Sequence, residues 1–299
     1  MNGVASNGAT PVRSVGRPHR RPRVGLVIGS GGIKCAAALG LWKVLEREGI
    51  EVDVVVGCSG GSIFAAAYAF GMRAADAETM TLRLWGRLFR RVHLRSLLRI
   101  GLPRLFRFSE RVGLLDDRRF WAALRETYGE ATFADCRTPL FIAASDLRTT
   151  DKVTIAEGRL SDAVRASSAL PLLLRPWPVG DRLLIDGGTS NPLPIDVAIR
   201  EGCDVILAMG FESVPHDTFP SFRNVVEQTM SLTMNHLIRS TFAFYSAAHH
   251  AEILPIMPDF GGRIGLRDVH RLPDIIAAGE RAAESTLPYL QRLLATSAR

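Results

Sequence analysis

Cysteine is sparse in this chain of 299 residues, and the four that occur, Cys35, Cys58, Cys136 and Cys203, stand far apart. That spacing excludes a disulfide scaffold and the close cysteine pairs of a structural zinc site, so reduced thiols are expected. Long apolar runs are also missing. None reaches the roughly 18 residues that a membrane-spanning helix needs, and the first 22 residues lack the roughly 7 to 15 apolar residues that follow the charged start of a secretory signal. The expected compartment is the cytosol, with any membrane contact peripheral. Residues 1–22 hold Gly, Ser, Asn, Pro and four Arg with almost no large apolar side chain, too little to offset the entropy of ordering, and read as a disordered basic tail. Lysine is confined to positions 34, 43 and 152, so the formal net charge of +7 rests on arginine. Such a charge attracts any polyanion, nucleic acid or anionic lipid, and does not choose between them.

What the chain does have is core. With 47% hydrophobic residues, residues 23–299 suffice for one large domain. Residues 23–28 form a short apolar run that ends in Gly29, Ser30, Gly31 and Gly32, and residues 33–48 then carry helix formers up to Gly49. The pattern repeats at once, with β-branched residues at 52–56, a break at Gly57 to Gly61, and a small-residue helix over 62–70. Two consecutive strand-loop-helix units predict an α/β fold, a three-layer sandwich whose mainly parallel sheet has helices on both faces. Residues 73–127 lack this alternation and read as a helical insertion. Strand signals resume at 140–144, 152–155, 182–185 and 204–209, a helix is expected over 196–201, and 273–294 read as one or two amphipathic helices.

Gly57-Cys58-Ser59-Gly60-Gly61 follows a strand and opens a helix, the setting of a G-x-S-x-G nucleophile elbow. A serine at so sharp a turn has neighbours two positions away that leave no room for a Cβ, hence Gly57 and Gly61. Without partners the same five residues are only a tight turn. An acyl-transfer nucleophile needs donors aimed at the developing oxyanion, and the loop Gly29 to Lys34 presents backbone N–H groups at a helix start. A dinucleotide site shares that setting, but G-x-G-x-x-G would need glycine where Lys34 stands, and no G-x-x-x-x-G-K-[ST] loop occurs. For the base, an α/β-hydrolase would use an aspartate and then one of the C-terminal histidines. Asp186, at a strand end and followed by Gly187 and Gly188, suits a carboxylate that faces the nucleophile directly.

Taken in this order, the glycine loop, the elbow and the Asp-Gly-Gly segment resemble the patatin-like phospholipase family, and the similarity extends to Ala143 to Leu147 (AASDL) and Ala166 to Pro171 (ASSALP). The resemblance implies a dyad of Ser59 and Asp186 without a catalytic histidine, oxyanion donors at Gly31 and Gly32, a supporting role for Lys34, and cleavage of acyl esters of phospholipids or other lipids. It implies no metal or cofactor. Two positions depart from the family's glycine loop: Ser30 stands where its first glycine is expected and Cys35 where its last one is. They keep open a second reading, a lipid-binding regulatory protein without turnover.

Between Arg83 and Arg107 eight arginines alternate with Leu, Phe and Trp, with no acidic residue. Basic and apolar side chains mixed at helical spacing suit an interfacial helix on an anionic membrane. A covering helix with solvated arginines fits the same pattern. No nucleic-acid-binding motif accompanies the charge, so no nucleic-acid partner is expected.

Overall fold

The computed structural model describes residues 21–88, 110 and 113–296. Within them eight strands form one mixed sheet: β1 (Val24–Ile28), β2 (Val54–Cys58), β3 (Leu140–Asp146), β4 (Lys152–Ile155), β5 (Trp177–Val179), β6 (Arg182–Asp186), β7 (Val205–Met209) and β8 (Glu252–Ile256). The order is β5-β6-β3-β2-β1-β7-β8, with β4 on β3. The pairs β3–β2, β2–β1, β1–β7 and β7–β8 are parallel, whereas β4 and β6 run antiparallel to β3, and β5 to β6. Side chains alternate across the central strands as the strand period requires. Leu26, Ile28, Val55, Leu207 and Met209 enter the core on one face, and Val27, Val54, Val56, Ile206 and Ala208 enter the core on the other.

Helices α1 (Ala37–Arg47), α2 (Gly60–Ala69), α3 (Ala74–Leu88), α4 (Arg118–Tyr128), α5 (Leu160–Ser167) and α8 (Leu272–Thr296) contribute to the first core. The opposite core is closed by α6 (Ile195–Arg200) and α7 (Phe222–Ala248). These are the three layers expected from the sequence. Several details differ. The second strand starts two residues after Val52, because Asp53 is used instead to accept the Val24 N–H and the Arg21 guanidinium. Residues 32–36 wind as a tight 3₁₀ turn before α1 begins. Strands β5 and β8 and the 27-residue α7 were not foreseen.

Part of the basic stretch belongs to α3. There Leu84 and Trp85 are buried, and Trp85 stacks on Phe64 at 6.1 Å between ring centroids. These two residues are therefore core rather than the membrane-facing side chains that the sequence pattern made of them. The stretch from residue 89 to residue 109 lies outside the described residues, as do residues 1–20 of the expected tail.

Candidate active site

The site is made where two strand ends meet. β4 pairs with Ile142 to Ser145 of β3, and since a strand has two edges, β2 and β6 must share the other one. β2 pairs along it as far as Cys58 with Ala143, and β6 takes over with Asp186 opposite Ala144. Because β2 is parallel and β6 antiparallel to β3, their C-terminal ends point at each other. The next residue after β2 is Ser59 and the last of β6 is Asp186, so the topology alone brings the hydroxyl and the carboxylate together.

The contact is direct. Ser59 Oγ donates to Asp186 Oδ2 at 2.5 Å, and both residues are buried. Asp186 Oδ1 accepts the Gly188 N–H at 2.7 Å, the Asp186 N–H donates to the Ala169 carbonyl, and Ser145 Oγ donates to the Asp186 carbonyl. Among the described residues no histidine is hydrogen-bonded to either partner. Burial pushes the Asp186 carboxyl up to about 6, partly offset by the hydrogen bonds from Ser59 and Gly188.

Ser59 has φ 55° and ψ −127°, a conformation that costs a non-glycine residue on the order of 1–3 kcal/mol. Its surroundings hold it there. The Ser59 carbonyl accepts the Ser62 N–H and hydroxyl at 2.9 and 2.6 Å, and its N–H donates to Ser167 Oγ at 2.8 Å. The glycines on either side are steric requirements: a Cβ on Gly57 would lie 2.5 Å from Ala65 Cβ, and one on Gly61 would strike the carbonyls of Ile28 and Gly29. Gly187 is likewise pressed against the Ala143 carbonyl and Cys58 Sγ, and a Cβ on Gly188 would lie 2.6 Å from Ser30 Oγ.

The glycine loop borders this junction, since a Cβ on Gly60 would meet the Gly32 backbone. The Gly29 N–H donates to the Met209 carbonyl and the Ser30 N–H to that of Pro192, which fixes the loop to the exit of β7 and to the segment before α6. Lys34 is buried and reaches away from the dyad, donating to the carbonyls of Phe211 and Glu212 and to Ser213 Oγ at 3.4, 3.1 and 2.9 Å. Burial pulls its ammonium down to about 8. The Cys35 thiol fits where glycine was expected: it is fully buried and donates to the Gly29 carbonyl at 3.3 Å. The four cysteines are free thiols, as expected.

Sequence reasoning missed Ser145, Ser167, Ala169 and Ser190, although AASDL and ASSALP contain three of them. It also missed a buried ion pair behind the site. Arg165 of α5 bonds to Asp117, which takes Arg175 as well at 2.8 Å, and the Arg165 guanidinium lies 4.9 Å from the Trp177 ring centroid. Among the described residues no group of three or more His, Cys, Asp or Glu side chains is disposed to hold a metal, and no helix is long and apolar enough to cross a membrane.

An uncharacterized NTE family protein of Mycobacterium tuberculosis is 27% identical over 233 residues, covering 78% of this chain and 60% of that protein. The neuropathy target esterase sws of Drosophila melanogaster is 31% identical over 188 residues, which is 62% of this chain and 13% of the fly protein. The chain thus spans less than two thirds of the length of these relatives. Human GIVD cytosolic phospholipase A2 superposes with a TM-score of 0.48 at 12% identity, covering 93% of this chain and 63% of that one. The family model for patatin-like phospholipases matches residues 26–199, a span that runs from β1 through the glycine loop, the elbow and Asp186 to α6, and the chain belongs to that family.

Proposed function

We propose that this protein is a serine-dependent lipid acyl hydrolase of the phospholipase A, lysophospholipase or esterase type. The observation that carries the reading is the buried 2.5 Å hydrogen bond from Ser59 Oγ to Asp186. Ser59 Oγ attacks the ester carbonyl while Asp186 takes its proton, and the tetrahedral intermediate collapses as Asp186 returns that proton to the leaving alcohol. Water, deprotonated by Asp186 in turn, then releases the acid from the acyl-enzyme and Ser59 recovers its proton. A base held near pH 6 by burial is ionised at neutral pH yet basic enough to accept the proton.

Gly31 and Gly32 serve as the oxyanion donors in this reading. The amides of Gly29 and Ser30 are engaged by backbone carbonyls, whereas among the described residues those of Gly31 and Gly32 meet no backbone carbonyl outside the local helical turn. Gly57, Gly61, Gly187 and Gly188 give the close approaches that the junction needs, and Lys34 ties the loop to the segment after β7. Membership of the patatin-like phospholipase family supports phospholipids or other acyl-ester lipids as the substrate class. Peripheral docking on an anionic membrane through the arginine-rich stretch after α3 is part of the proposal. It is tested by replacing Arg90, Arg91 and Arg95 with Gln and measuring vesicle binding against soluble-ester turnover; equal loss of both removes the membrane role.

The chemistry is tested with a fluorophosphonate probe and a short-chain nitrophenyl ester. Wild type should label and turn over, while Ser59→Ala should do neither and Asp186→Asn should lose turnover. Labelling that survives Ser59→Ala overturns the assignment. A folded wild type that binds lipid without releasing chromophore would favour the regulatory reading that Ser30 and Cys35 kept open.

A further inference from the structure

We propose that Ser167 is a positioning residue whose hydroxyl, inserted as a wedge between the end of β2 and β3, sets where the Ser59 nucleophile stands relative to Asp186. The inference rests on the Ser59 reading above. Its basis is the hydrogen-bond ladder. On this edge the Val55 N–H donates to the Pro139 carbonyl, and in a parallel pair such rungs recur every second residue. Two rungs further on, the regular partner of the Ser59 N–H is the Ala143 carbonyl. The structure puts a side chain there instead: the Ser59 N–H donates to Ser167 Oγ at 2.8 Å, and Ser167 Oγ donates to the Ala143 carbonyl at 2.6 Å. A hydroxyl can accept and donate at once, so it bridges both groups of the broken rung.

The consequence is spatial. A direct rung would hold the two atoms about 2.9 Å apart, and the bridge holds them well beyond that. The chain is therefore free to leave the ladder at Ser59 and adopt its positive φ, just where β6 begins to pair with Ala144. Two residues after Ser167, the Ala169 carbonyl accepts the Asp186 N–H. The C-terminal end of α5 thus holds both halves of the dyad, one through a side chain and the other through its backbone. Ser167 is fully buried, so no solvent hydroxyl substitutes for it.

Replacing Ser167 with Ala removes the bridge, and the Ser59 N–H is left to close on Ala143 or go unpaired. A displacement of even about 1 Å at a nucleophile can cost on the order of a hundredfold in rate. The expected result for Ser167→Ala is a roughly ten- to hundredfold fall in kcat on a soluble ester, with KM within about twofold of wild type and fluorophosphonate labelling slowed in parallel. The acidic limb of the pH profile should also move upward, because the Ser59 hydrogen bond that holds down the Asp186 carboxyl is weakened. Ser161→Ala, which deletes a buried hydroxyl from the first turn of the same helix, controls for simple destabilisation and should leave both kcat and the pH limb in place. If Ser167→Ala does not fold, Ser167→Cys carries the same expectation in smaller measure. Wild-type kcat and an unmoved limb in a folded Ser167 variant overturn the inference, as does an equal loss in Ser161→Ala. Activity that survives Ser59→Ala overturns instead the reading on which it rests.

Discussion

Asp186→Asn should abolish ester turnover and yet make the folded protein more stable above pH 6. The carboxylate is buried with two hydrogen-bond donors, the Ser59 hydroxyl and the Gly188 N–H, and no cation among them. Burial raises it from an ordinary 3.8 to about 6. A group whose folded value is raised contributes stability in its protonated form: the contribution is complete below about pH 4 and is lost as pH rises through about 6. Converted at about 1.4 kcal/mol per pH unit, the ionised wild type at pH 8 is on the order of 3 kcal/mol less stable than a neutral isostere would be. Asparagine is close to that isostere. Its Oδ1 still accepts from Gly188, and its Nδ2 donates to Ser59 Oγ, which reverses the direction of that bond. Denaturant unfolding of both proteins at pH 4, 6 and 8 reads the difference. The variant's advantage should be near zero at pH 4 and grow to on the order of 3 kcal/mol at pH 8. An advantage that does not change with pH, or a variant less stable than wild type at pH 8, would refute the idea that Asp186 is held ionised against burial.

Further outcomes follow from the same geometry. The pH dependence of kcat/KM for a soluble ester should rise through a midpoint near 6, because the proposed base is the ionised form of Asp186; a flat profile between pH 5 and 8 contradicts this. Asp117→Ala leaves Arg165 charged and buried without its partner, and should cost about 3–5 kcal/mol in urea unfolding. A cost under about 1 kcal/mol means that water or another acceptor reaches Arg165. Cys35 and Cys58 are fully buried, and burial raises both thiols well above their usual range. Under native conditions a maleimide should spare both and modify them only on unfolding, as read by mass spectrometry; rapid native labelling of either refutes the packing described.

What the sequence disclosed and what it hid divide along a physical line. Strand, glycine and helix follow one another at positions 24–47 and 54–69 because each element is dictated by residues within a few positions of it. The approach of Ser59 to Asp186 could be expected from a motif pair alone, without the topology that causes it. Ser167 could not: its hydroxyl matters only because α5 lies across the edge where two strands meet, a fact held in no local pattern. The 27-residue α7 was hidden differently. Thr229 and Thr233 return their hydroxyls to carbonyls one turn back, Ile238 is its one buried large apolar residue, and so its apolar periodicity is faint. Pro178 in β5 and Pro255 in β8 suppressed two strand signals, as proline does at sheet margins.

The placement of Lys34 bears on the dyad proposed above. Lys34 follows the two loop glycines, and turned toward Asp186 it would form an ion pair. That pair would drop the carboxyl below its ordinary range and make it a poor proton acceptor. Instead its ammonium is spent on the carbonyls of Phe211 and Glu212 and on Ser213 Oγ, and Asn235 of α7 holds Ser213 in turn through both its backbone groups. The charge thus straps the glycine loop to the far layer of the fold, and although burial lowers Lys34 to about 8, that strap remains cationic at neutral pH. Separation of the two charges leaves Asp186 governed by burial and by its two donors, which is the condition the proposed mechanism requires of a carboxylate that acts as base without a histidine between it and the serine.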